Sequence, residues 1–153
     1  MTDLLTELRS ITDALDFARV DYALCGGVAL AIYGIPRATI DIDMLVAPDQ
    51  VPAAEGVLGQ LGYRLAAAPM RLAGGTVTIT RLVKPEPDSE DVLMVDLLHV
   101  TPALESVWRS RRRVAWDHGA VATVSRAGLV ALKRLRGSGQ DQDDIERLTG
   151  DTQ

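Results

Sequence analysis

Two carboxylates stand one residue apart in Thr39-Ile40-Asp41-Ile42-Asp43-Met44-Leu45-Val46, a segment whose composition suits a strand. Residues i and i+2 of a strand face the same side, so Asp41 and Asp43 project together while Ile40, Ile42 and Met44 pack behind them. Like charges held this close repel, and a cation between them relieves the cost. Carboxylate oxygens of this kind suit Mg²⁺, which is usually held by a few carboxylates plus substrate phosphates. Upstream, Gly26-Gly27 opens a short helix, where bare backbone N–H groups and the positive dipole end favour a phosphate. A phosphate cradle and a metal clamp within 18 residues point to chemistry on a nucleoside triphosphate (NTP).

A third carboxylate, Asp96, interrupts the apolar run Val92-Leu93-Met94-Val95-Asp96-Leu97-Leu98. Burying it is costly unless it is paired or bound to a metal. If its strand lies beside that of Asp41 and Asp43, the three acids could converge on two Mg²⁺ ions about 3.5–4 Å apart, a spacing suited to in-line phosphoryl displacement. Asp96 would then be a general base, or the ligand that lowers the nucleophile's pKa. The competing reading is a buried aspartate satisfied by an arginine or a backbone cap.

Other candidates carry two readings each. Arg37 could grip a phosphate with both ends of its guanidinium, or simply be a surface turn residue. Thr39 is a ligand or an ordinary strand residue. Lys133, among Leu129, Leu132 and Leu135, is a solvated helix lysine or a triphosphate contact acting with the acidic segment Asp141–Glu146. Cys25 reads as a small core residue. His99 and His118 are too isolated to suggest a zinc site.

The elements that must position these groups follow from periodicity. Leu4, Leu8, Ile11, Leu15 and Ala18 predict an amphipathic helix capped by Thr2 or Asp3. Tyr22–Cys25 reads as a short buried strand, and Val28–Tyr33 as a brief helix stopped by Gly34 and Pro36. A second amphipathic helix starts at Pro48-Asp49 and ends at Gly62. Strands are expected from Tyr63, over Thr76–Val83 and over Val92–Leu98, with a polar loop at Lys84–Glu90. Pro102–Trp108 reads as helical. Val114–Trp116 and Val121–Val124 read as a hairpin, followed by helices over Arg126–Arg136, with Ser125 as cap, and from Asp141 to Leu148. This order predicts an α/β (α+β) domain with a mixed twisted sheet and helices mainly on one side.

The 153 residues suffice for one domain, 1–153, with a real core. Apolar residues make up 47% and charged residues 24%, the balance of a globular protein. No apolar run reaches membrane-spanning length, and the opening Met-Thr-Asp-Leu-Leu-Thr-Glu lacks the basic-then-apolar order of a signal peptide, so the expectation is cytoplasmic, with no membrane partner. A single cysteine excludes an internal disulfide and a cysteine-built zinc site. The net charge of −5 argues against a surface coated for nonspecific nucleic-acid binding. Yet eight of the 16 basic residues lie between Arg109 and Arg136, so a local patch could face phosphates.

Taken together, Gly26-Gly27, the short helix and Arg37-x-Thr39-x-Asp41-x-Asp43 resemble the nucleotidyltransferase superfamily with a DNA polymerase beta-like palm. Within it, the chain is similar to the AbiEii-type toxin and minimal nucleotidyltransferase branches. The resemblance runs from about residue 20 to 148, with Val95-Asp96-Leu97 and Leu132-Lys133…Asp141-x-x-Asp144 as further matches. It implies Gly26 and Gly27 as phosphate-loop glycines, and Asp41, Asp43 and Asp96 as metal ligands and catalytic residues. Gly27 stands where the family often has serine. The implied activity is Mg²⁺-dependent transfer of a nucleoside monophosphate from an NTP to a hydroxyl, with pyrophosphate leaving. RNA ends, tRNA included, proteins and small antibiotics are the implied acceptors, and a small antitoxin is a possible partner. The alternative is a noncatalytic binding or regulatory module on the same fold.

Overall fold

A computed structural model describes residues 3–35, 41–117, 119–136 and 139–150, with side chains described throughout except at 136 and 139–141. Arg37, Thr39 and His118 therefore lie outside the described residues. Helix α1 (Leu4–Phe17) begins where the Asp3 carboxylate accepts the Leu5 amide at 3.2 Å. Its stripe of Leu8, Ile11 and Leu15 is buried. Strand β1 (Ala23–Cys25) leads directly into helix α2 (Gly26–Ile32), and strand β2 (Asp41–Val46) carries the aspartate pair. A turn of 3₁₀ helix at Pro48–Gln50 precedes helix α3 (Val51–Gln60). Strands β3 (Arg64–Leu65), β4 (Met70–Leu72), β5 (Val77–Pro85) and β6 (Val92–His99) follow. Helix α4 (Glu105–Arg109), the hairpin β7 (Arg112–Trp116) and β8 (Gly119–Thr123), and helices α5 (Arg126–Arg136) and α6 (Gly139–Gly150) complete the order.

The strands form one mixed sheet in the order β3-β5-β6-β2-β1-β8-β7, with β4 added onto β5. β2 runs parallel to β6 and antiparallel to β1, and β1 runs parallel to β8. Side chains alternate between two cores. On one face, Leu24, Ile42, Met44, Val46, Leu82, Val95 and Leu97 pack with Leu8, Ile11 and Leu15 of α1 and Val51, Ala54 and Leu58 of α3. Full burial of each such side chain is worth about 1.5–3 kcal/mol, so this face anchors the strands. On the other face, Ala23, Cys25 and Leu45 pack with Ala29 and Leu30 of α2, Val107 of α4, Leu129 and Val130 of α5, and Ile145 and Leu148 of α6. That second face carries the aspartates.

Two local expectations are corrected. The stretch Lys84–Glu90 was expected to be loop, but β5 extends through Lys84 and Pro85, which pair with Leu93 and Val92. The extension is held from the side by Lys84 Nζ, which donates to Glu7 Oε1 at 2.5 Å and lies 4.9 Å from the Tyr63 ring centre. Strand β4 has no counterpart in the sequence reading. It is three residues long, mostly exposed, and defined only by its pairing with Val77–Ile79.

Candidate active site

The registers place four side chains in one lateral row. Arg81 on β5 pairs with Asp96 on β6, Asp96 with Asp43 on β2, and Asp43 with Cys25 on β1. Residues directly opposite one another on neighbouring strands share a face. Asp41, two residues before Asp43 and opposite Met94, joins the same face. A second row, Ile79–Leu98–Leu45–Ala23, runs beside the first and is wholly apolar. Sheet register thus sets Asp41, Asp43 and Asp96 on one face of two adjacent strands.

The row floors a cleft of about 500 Å³, within the usual range for small-molecule sites. Cys25, Gly26, Asp41, Asp43, Arg81 and Asp96 form its polar floor. Leu72, Val77, Ile79 and Leu98 form one apolar wall, and Leu129, Leu132 and Leu135 of α5 the other. Lys133 lines the cleft between those leucines. α5 is oriented at its start by Ser125, whose Oγ accepts the Gly128 amide at 2.9 Å.

Gly26 is required by position. Its φ is +65°, and a Cβ added there would lie 2.2 Å from Asp43 Oδ2. Only glycine lets the chain turn from β1 into α2 this close to the carboxylate. Gly27 follows as the second residue of α2.

Asp96 is buried, with 6% exposure, and Arg81 holds it with both ends of the guanidinium: Nε to Oδ1 at 2.8 Å and Nη2 to Oδ2 at 2.9 Å. This pairing, reinforced by the charges of Asp41 and Asp43, raises the Arg81 pKa. Cys25 is buried, and its thiol is pushed well above its ordinary value, chiefly by burial, then by Asp43, with Lys133 opposing and Asp96 adding to the rise. Lys133, expected to be solvated or to reach phosphate, is 6% exposed, and its Nζ lies 3.1 Å from Oδ2 of the 2% exposed Asp144. The lysine of α5 and the acidic segment of α6 therefore do meet.

The donor set fits a hard divalent cation in chemical type, with three carboxylates on one sheet face and two of them register partners. Among the described residues, however, no three acidic, histidine or cysteine side chains already stand as a ligand cluster. Asp96 is instead held by Arg81, which bonds to each of its oxygens.

Among the described residues, the basic stretch does not form one surface. Arg109, Arg111, Arg112 and Arg113 line a separate cavity of about 400 Å³ with Asp16, Asp21 and Tyr22. Arg126 instead lies 5.1 Å from the Tyr33 ring centre and donates to the Tyr33 carbonyl, while Lys133 belongs to the carboxylate cleft. Arg81 and the apolar walls went unnoticed in the sequence. The alternation of Val77, Ile79 and Arg81 was the available signal, but pairing partners are not encoded in a strand's own pattern. No described helix is long and apolar enough to cross a membrane.

No family model matches the chain, and no curated protein matches it in sequence. Solved structures do match. TM1012 from Thermotoga maritima, assigned as a nucleotidyltransferase, aligns over 96% of this chain and 92% of its own, with a TM-score of 0.69 at 13% identity. The antibiotic-resistance factor ANT(2'')-Ia aligns over 97% of this chain and 83% of its own, with a TM-score of 0.67 at 15% identity. The lincosamide antibiotic adenylyltransferase LnuA, solved with lincomycin, aligns over 94% and 95%, with a TM-score of 0.54 at 14% identity. At these identities the comparison establishes architecture: the chain has a nucleotidyltransferase-like fold.

Proposed function

We propose that the chain is a nucleotidyltransferase that moves a nucleoside monophosphate from an NTP to a hydroxyl acceptor. The observation that carries this reading is the register pairing of Asp43 with Asp96 on parallel strands, with Asp41 on the same face of the same cleft. Asp41, Asp43 and Asp96 would hold Mg²⁺, two ions in the fullest form of the reading. Bound there, Mg²⁺ supplies charge neutralisation for the triphosphate and lowers the pKa of the attacking hydroxyl. The acceptor oxygen bonds to the α-phosphorus, the α–β bridging P–O bond breaks, and its electron pair leaves with pyrophosphate. The hydroxyl proton passes to Asp96. Gly26, with Gly27 next to it in the chain, presents backbone at the edge of the cleft for the phosphates, and Lys133, paired with Asp144, lines its wall. Arg37 and Thr39 belong to the same reading through the sequence motif. The leucine-rich walls fit the flat face of a nucleobase or the apolar flank of an acceptor.

The fold neighbours support the reaction class, and ANT(2'')-Ia and LnuA extend it to antibiotic acceptors: one was solved with adenylyl-2''-tobramycin and the other with lincomycin. An RNA or protein acceptor, a toxin role of AbiEii type and a small antitoxin partner rest on the sequence resemblance. The test is transfer of label from each of four α-labelled NTPs, with Mg²⁺, to tRNA, to protein and to hydroxylated small molecules. Transfer by the wild type and its loss in Asp43→Asn and Asp96→Asn are expected. Metal and NTP binding without any transfer would favour the noncatalytic module instead.

A further inference from the structure

We propose that Arg81 stands in for a divalent cation on Asp96 and competes with it for that carboxylate, so that Arg81 sets the metal demand of the cleft. The inference rests on the reading of Asp41, Asp43 and Asp96 as the ligand set. Arg81 makes two hydrogen bonds to Asp96, at 2.8 and 2.9 Å, one to each oxygen. A planar guanidinium matches a carboxylate in this way and a point charge does not. A cation shared with Asp43 must draw on at least one of those same oxygens.

The two partners are not equally able to move. The Arg81 side chain is 37% exposed and the Asp96 side chain 9%. Arg81 can swing toward solvent, whereas Asp96 is fixed by β6 between Val95 and Leu97, which are buried in the core behind the sheet. The arginine also supplies what a buried carboxylate needs when no metal is present, because a buried charge left alone is strongly destabilising. It offsets one of the three like charges gathered on this face. Removing it therefore has two linked effects. The metal-free protein loses stability, and the cleft becomes more negative with both Asp96 oxygens released, so divalent cations bind more tightly.

The experiment measures Mg²⁺ and Mn²⁺ binding by calorimetry, and thermal unfolding in chelator and in excess metal, for wild type, Arg81→Met and Arg81→Lys. Arg81→Met should unfold at lower temperature in chelator, show a larger metal-induced rise in Tm, and bind metal about tenfold tighter or more. Arg81→Lys keeps the charge and loses the fork, so its metal affinity should rise severalfold. If Arg81→Met does not fold without metal, Arg81→Lys decides alone. Metal affinity in the folded variants equal to or below that of the wild type overturns the inference and leaves the site reading standing. Wild type and variants all indifferent to both metals overturn the site reading and the inference with it.

Discussion

Gly26 and Asp43 are in such close approach that a methyl group on Gly26 would sit 2.2 Å from the aspartate's Oδ2, with the glycine at φ +65°. Strain and steric conflict act together at this position. Gly26→Ala should destabilise the protein by about 1–3 kcal/mol and turn the Asp43 carboxylate out of the row. Urea unfolding measures the first effect, and metal affinity the second. Gly56, within α3, is the matched control, because a Cβ there meets nothing within 4 Å. Gly56→Ala should raise stability by about 0.5–1 kcal/mol.

Lys133 and Asp144 form an ion pair with almost no solvent on either side, 3.1 Å apart and joining α5 to α6. Removing one member leaves the other charge buried. Lys133→Met or Asp144→Leu alone should cost about 3–5 kcal/mol, and the double variant should cost less than the sum of the two. A double-mutant cycle by denaturant unfolding checks this, and additive single effects would contradict it.

Tyr63 donates to the buried Glu7 at 2.7 Å, and Lys84 donates to the same oxygen. Burial, then the hydrogen bond and the charge of Glu7, raise the Tyr63 pKa far above 10. The folded form thus resists ionisation that the unfolded chain permits. This contribution to stability is complete below the unfolded value of about 10, and is lost as pH rises above it. Stability measured across pH 9 to about 12 should fall more steeply in wild type than in Tyr63→Phe. Tyr22, also raised by burial, adds to the same alkaline limb in both proteins.

Cys25 lies beside Asp43 on the cleft floor, yet its thiol is buried and held well above its ordinary pKa. The thiolate is the reactive species. Native protein should therefore react with iodoacetamide much more slowly than urea-unfolded protein. Equal rates, followed by mass spectrometry, would count against the buried placement.

Much of this was legible from local pattern. The stripe of Leu8, Ile11 and Leu15, the Asp3 cap, the Ser125 cap and the alternation around Asp41 and Asp43 each follow from spacing within one segment, and each is found in the structure. The acids could be placed on a common strand face before any partner was known. What the chain concealed was pairing between distant segments. Arg81 meets Asp96 because β5 and β6 share a register, and a slip of one residue would send either side chain to the other face. The burial of Lys133 was hidden for a similar reason: one side of α5 faces α6 and the cleft, and helical spacing does not say what will cover a given side. β4 was missed because three mostly exposed residues have no period to detect.

Ile42, between the two acids of β2, and Val95, just before Asp96, lie on the reverse of the strands that carry the carboxylates, and both are sealed in the hydrophobic core. The chemical groups thus have no independent footing. Evolution cannot resize the oily interior here without nudging charged atoms on the opposite surface, so substitutions that look purely architectural would surface as changes in the geometry of the cleft.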